Sequence, residues 1–323
     1  MIESTKLEKA AIIAIKDYLG VSQDESILIV ADENMREIGL ALYEAGKKIA
    51  MEAFYMEMKS RNIDGQEPPD QIGSMMRKVD VVVCPTSVSL THTDARRRAC
   101  DLGVRVATMP GITEEIMTRC LSADPKKVTK LSEQIAALLK DVHKVKVETK
   151  LGTDIIMPIK GRKVYISTGV LKKIGESGNL PSGEVYVSPV EGKSSGIIVF
   201  DGSMSGVGLL NTPITVEVKN GYAKKITGES EAIEFAAMLD DAGREAHSVA
   251  EFGIGTNHKA KIIGKIIEDE KSLGTIHIAF GNNISMGGKV NVKTHLDGVI
   301  KKPTVYFDNI KIMDNGKFVD ESL

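Results

Sequence analysis

Val79-Asp80-Val81-Val82-Val83-Cys84 runs apolar from Val81 onward with no alternating polar face, so a strand made from it must be covered on both sides. Ser26-Ile27-Leu28-Ile29-Val30-Ala31 reads the same way upstream, and Met51–Met56 and Arg105–Met109 make a set of four. Helical stretches separate them at Met35–Ala45, Pro69–Lys78 and Asp94–Leu102. Ahead of them Leu7, Ala11, Ile15 and Leu19 recur at helical spacing, with Gly20 where a C-cap belongs. Strands alternating with helices predict a parallel sheet with right-handed crossovers. The expected fold is α/β, beginning with a Rossmann-like domain over residues 1–145 that a helix from Lys126 to Lys140 leads out of.

From Val145 the period changes to two. Val164–Ser167, Glu184–Val187, Ile197–Phe200 and Ile214–Val218 are bounded by Gly, Asn and Pro, and Asn220-Gly221 and Asn315-Gly316 predict tight hairpins. Helices are expected at Glu231–Leu239 and Ala260–Glu268. Residues 146–323 therefore read as an α+β domain dominated by antiparallel sheet.

Composition excludes several function classes. Lys and Arg number 42 against 44 Asp and Glu, leaving a net charge of −2 and no bulk field for nucleic acid or an anionic membrane. There is no Trp and only 4% aromatic residues, which argues against a stacking groove for single strands. Cys84, Cys100 and Cys120 form no CxxC pair and read as small core residues of a protein in a reducing, cytoplasmic compartment. The opening MIESTKLEKAAIIAIKDYLG carries charges throughout and lacks the apolar run of a signal peptide. No stretch approaches the roughly 20 apolar residues of a membrane span.

Three segments are candidates for a site. Pro85–Arg98, after the third strand, offers hydroxyls and His92 where ligands bind parallel sheets. Its simpler reading is Thr93 as an N-cap with a solvated arginine face, leaving His92 as a candidate substrate contact beside a cleft shared with the second domain. Asp201–Gly208 has no GxSxG register and reads as a turn between strands. The strongest candidate is in the second domain. Alternation in Thr275-Ile276-His277-Ile278-Ala279-Phe280 turns His277 away from the three large apolar residues. His295 and Asp297, two apart on a strand, face the same way and can share a metal ion. Glu184 and Glu251 likewise oppose apolar neighbours, and glycines (Gly183, Gly253, Gly255, Gly274, Gly281, Gly298) surround the set. Two imidazoles and three carboxylates suit a dinuclear divalent site.

Asn179–Tyr186, Glu251–Asn257, Gly274–Gly281 and His295–Asp297, in this order, resemble the signature segments of the thermophilic-type metallo-aminopeptidases, the aminopeptidase T and S family, which is leucyl aminopeptidase-like. The resemblance implies that Glu184, Glu251, His277, His295 and Asp297 are metal ligands. The chain departs from the family pattern in having no tyrosine within Gly281–Gly288 and His258 after Asn257. The implied enzyme is a hydrolase, a metalloprotease that removes the N-terminal residue of short peptides with a metal-activated water. It would use two divalent ions, zinc by default with cobalt or manganese compatible, and form a homodimer. Glu251 is the preferred base or bridge, and Lys289 and Lys293 are candidate substrate contacts.

Two alternatives stand beside it. His277, His295 and Asp297 form the two-His-one-carboxylate set of a non-haem Fe(II) ring-cleaving dioxygenase, and a dihydroxypyridine dioxygenase is similar to the same family. Retention of both Glu184 and Glu251 is the feature that ranks hydrolysis first. The last alternative is a non-catalytic protein that binds a small ligand.

Overall fold

Ile27, Leu28, Ile29, Val30 and Ala31 have no solvent exposure, the burial that a strand covered on both faces requires. The computed structural model describes residues 5–320, so residues 1–4 and 321–323, at the ends of the two domain spans read above, lie outside it. The chain divides into two compact units. One runs to Lys127 and includes Ser167–Ser182; the other comprises Val128–Ile166 and the chain from Gly183 onward.

In the first unit the strands lie in the order Glu52–Met58, Ser26–Asp32, Val81–Cys84, Arg105–Thr108 and Ser177–Asn179, all parallel. The last strand is absent from the sequence reading. Ser177-Gly178-Asn179 has no apolar run, and only its backbone pairing with Val106–Thr108 makes it a strand. Helices cover the sheet at Arg36–Ile49, Asp70–Met76, Asp94–Asp101 and Glu114–Cys120. The Thr93 and Thr113 hydroxyls accept the backbone N–H groups of Arg96 and Ile116, capping the last two of these helices. The first helix is regular over Lys6–Ile13 and widens into a π-turn at Ala14–Tyr18 before Gly20, at φ +59°, ends it.

The second unit is built on antiparallel sheets. One has the order Tyr222–Thr227, Ile214–Lys219, Ser195–Phe200, Asp154–Pro158, Lys144–Glu148, Thr304–Phe307, Ile310–Asp314, Lys317–Phe318. The other runs Gly208–Leu209, Ser203–Met204, His295–Lys301, Thr275–Gly281, Val249–Gly255, Glu184–Val187, Val164–Ser167. Both predicted hairpins form, with Asn220-Gly221 at φ 53° and 75° and Asn315-Gly316 at 48° and 80°. The helix expected over Ala260–Glu268 shrinks to Ile266–Asp269. The reason is local: the Asp269 carboxylate accepts the N–H groups of Ile263 and Gly264, and Glu268 accepts that of Lys261, so side chains satisfy donors that a longer helix would have used. Among the described residues no helix is long and apolar enough to cross a membrane.

Phe200, Phe235 and Phe280 meet edge to face with centroids 5.9–6.4 Å apart, all fully buried. Phe280 lies on the same strand as His277 and points the opposite way, so this cluster sets the strand that carries the imidazole. Phe235→Ala should cost about 3–5 kcal/mol by leaving a cavity behind that strand, measured as a lower urea midpoint at unchanged slope.

Candidate metal centre

Four neighbouring strands each contribute to one face. The His277 strand pairs with the Glu251 strand through Gly253↔His277 and Glu251↔Ala279, and with the last strand through Ala279↔Asp297 and Gly281↔His295. Gly255↔Glu184 adds the fourth strand. A bulge between Val249 and Glu251 shifts the register and aims the Glu251 side chain across the sheet. Alternation sends Ile276, Ile278 and Phe280 into the core and leaves His277 on the site face.

The side chains converge closely. His277 Nε2 lies 3.2 Å from Glu251 Oε1 and 3.5 Å from Glu184 Oε2. His295 Nε2 lies 3.1 Å from Glu251 Oε2 and 3.5 Å from Asp297 Oδ1. Two imidazoles thus aim the same nitrogen at one carboxylate. Three groups, Glu184–Glu251–His277, Glu251–His295–Asp297 and Glu270–His277–Asp297, each hold their ligand atoms within 4.8 Å of one another. Carboxylate and imidazole in this arrangement suit a divalent first-row metal.

The surroundings orient these donors. His295 Nδ1 donates to the Asn282 carbonyl at 2.7 Å, so Nε2 is the nitrogen turned toward Glu251 and Asp297. His277 has no hydrogen-bond partner at Nδ1 among the described residues, and packing holds its ring instead. A Cβ on Gly253 would stand 2.0 Å from its Nε2 and 2.2 Å from its Cε1. The Asp201–Gly208 segment is more than a turn: Ser205 accepts the Asp297 N–H at its Oγ (3.0 Å) and donates its own N–H to the Asp297 carbonyl (2.8 Å). Buried Asn283 donates to Ser188 and Glu191 and accepts the Val290 N–H, pinning the loop that precedes His295.

Sequence reasoning missed two members of the site. Lys271, 2% exposed, places Nζ 2.7 Å from Glu184 Oε1 and also bonds the Glu270 carboxylate. Glu268-Asp269-Glu270-Lys271 has the look of a solvated charge run, yet all four residues are buried. The only signal available was the run's position just before Gly274 and the His277 strand.

Burial disfavours the Lys271 ammonium, but Glu184 and Glu270 outweigh it and hold the pKa above the ordinary value. Burial is also the main cause that pushes Glu270 up to about 8, with Asp297 and Glu184 adding to it against Lys271. Glu251 is raised by burial but lowered more by hydrogen bonds from His277 and His295, and ends below the usual carboxylate range. Burial opposes charge on His277, yet Glu251 and Glu184 push it up to about 9; desolvation likewise opposes charge on His295, and Asp297 and Glu251 raise it well above the ordinary imidazole value.

The structure therefore brings Glu184, Glu251, His277, His295 and Asp297 together on one face. Lys289 and Lys293 are exposed, and the Lys289 N–H donates to Glu191. His92 lies in the first unit, exposed, with its carbonyl accepting from Arg97.

A family model described as NicX, 2,5-dihydroxypyridine 5,6-dioxygenase, matches residues 17–320. The 2,5-dihydroxypyridine 5,6-dioxygenase of Pseudomonas putida KT2440 is 23% identical over 266 residues, covering 76% of this chain and 72% of that one. The solved structure of 2,5-dihydroxypyridine dioxygenase from the same organism aligns with a TM-score of 0.84 at 18% identity over 98% of both chains. Wild-type AmpT from Thermus thermophilus aligns at 0.72 and 15% identity, over 98% of this chain and 99% of its own. At these identities the two structures establish a shared fold.

These findings correct the aminopeptidase reading. The likeness to aminopeptidase T is one of fold, whereas the family match and the curated relative are dioxygenases, so the hydrolase and protease assignments and the peptide substrate are withdrawn. The physical reason lies in Glu184. Its retention favoured hydrolysis because it was counted toward a second metal, but the structure gives it a buried lysine as counter-ion. A common scaffold with common donors does not fix the chemistry done on it.

Proposed function

This chain belongs to the NicX, 2,5-dihydroxypyridine 5,6-dioxygenase, family, and from that premise we propose that it is a non-haem Fe(II) dioxygenase that opens the ring of a dihydroxylated pyridine. His277, His295 and Asp297 would hold one ion: Glu251 lies against both imidazoles, and Asp297 shares a donor group with each of them. Charge supports one cation: the Lys271 ammonium answers Glu184, burial holds Glu270 largely protonated near neutral pH, and Glu251 and Asp297 are left to offset a single dication. When bound, Fe(II) supplies the redox chemistry through which an electron-rich ring reacts with dioxygen.

The chain's own residues arrange the rest. The Asn282 carbonyl holds the His295 tautomer that presents Nε2, and Ser205 fixes the backbone of Asp297. Tyr186, two residues beyond Glu184 on the same strand face, stacks on Tyr165 with centroids 5.4 Å apart and planes at 13°. This pair forms an aromatic wall suited to a planar heterocycle. Burial first, then the charges of Glu184 and Glu251, holds the Tyr186 phenol above its ordinary pKa, so it stays a neutral hydrogen-bond donor.

The observation that carries this reading is the family match over residues 17–320, which includes every residue of the cluster. Protein loaded anaerobically with Fe(II) should consume oxygen in equimolar amount to 2,5-dihydroxypyridine lost, followed with an oxygen electrode and by ring absorbance. Amino-acid p-nitroanilides and short peptides should release nothing. Metal-dependent release of amino acids without oxygen uptake would overturn the proposal.

A further inference from the structure

The Lys271 ammonium sits among groups that otherwise make a second set of metal donors. Besides Glu251–His295–Asp297, the groups Glu184–Glu251–His277 and Glu270–His277–Asp297 also bring their ligand atoms within 4.8 Å of one another. Glu184 and Glu270 are the carboxylates of these groups that do not belong to the His295 group, and Lys271 Nζ bonds both. Its position is set by the backbone: the Lys271 carbonyl accepts the Asn257 N–H at 2.8 Å, and its N–H donates to Glu268 at 3.0 Å. The side chain is almost fully buried, so no water screens its charge from an incoming ion.

We infer that Lys271 stands in for a second metal ion and holds the centre to one cation. The inference rests on the single-metal reading above and extends it to the residue that enforces it. An ammonium with three donors satisfies both carboxylates and repels a dication from the donors beside them. Removal of that charge leaves the Glu184 and Glu270 carboxylates without the ammonium that bonds both, and a second divalent ion becomes the group that can take its place between them. A lysine that served packing alone would leave the metal count unchanged when replaced.

Cobalt(II) alone, titrated by equilibrium dialysis into chelator-treated protein, separates the cases without any assay of turnover. The wild type should take up one ion per chain, Lys271→Met two, and Lys271→Arg, which keeps the charge, one. Two ions this close should also couple magnetically and weaken the cobalt EPR signal per ion in Lys271→Met only. A wild type that binds two ions, or a Lys271→Met protein with native circular dichroism that still binds one, overturns the inference. Should Lys271→Met fail to fold, Lys271→Gln is read in the same way, since its amide can bond both carboxylates without charge. A wild type that binds no cobalt, zinc or iron overturns the single-metal reading itself, and the inference with it.

Discussion

Chelator-treated protein carrying Asp297→Ala should take up no iron and turn over 2,5-dihydroxypyridine more than about 100-fold more slowly than the unaltered chain. The estimate is a lower bound, because loss of groups that merely orient a metal ligand costs about 10–100-fold. Asp297 is buried, lies 3.5 Å from His295 Nε2, and belongs to two of the three donor groups, so its loss breaks both. Glu184→Gln is the informative contrast. In the proposed arrangement Glu184 answers Lys271 rather than the metal, so this variant should keep its iron. Metal analysis and oxygen uptake on the two proteins decide the matter. Full iron content in Asp297→Ala would remove Asp297 from the ligand set.

Gly253→Ala should abolish iron binding although residue 253 contributes no ligand. The added carbon would stand 2.0 Å from His277 Nε2, so the ring must leave its place opposite Glu251 or the two strands must part. Overpacking of this kind costs about 1–3 kcal/mol of stability. A double-mutant cycle isolates the cause. In a His277→Ala background the clash is gone, so Gly253→Ala should then be nearly neutral in urea unfolding. Equal destabilisation in both backgrounds would show that the glycine matters for its strand and not for the ring above it.

Much of this architecture was legible along the chain. The unbroken apolar runs at Ser26–Ala31 and Val81–Cys84 announce a doubly covered parallel sheet, and two-residue alternation around His277 and at His295–Asp297 places their donors on one face. Those signals are local: a strand's period decides which side a residue faces whatever lies beyond it. Ser177–Asn179 was not legible, because an edge strand of small polar residues exists only through the partner it pairs with. The helix expected at Ala260–Glu268 failed because Glu268 and Asp269 turn inward to cap the preceding loop, a use of carboxylates that a helical pattern does not reveal.

Residue order alone thus settled the α/β class and the antiparallel second half, which follow from periodicity, whereas the gathering of the five side chains was implied by the family resemblance. The chemistry was a different matter. Whether Glu184 serves a metal or a lysine depends on the charge that lies beside it, and Lys271, 87 residues further on, looks from its neighbours like any solvated cation. Only the packed sheet shows it buried against Glu184 and Glu270. Burial of charge is set by contacts between distant segments, and the tertiary structure is where those contacts are made.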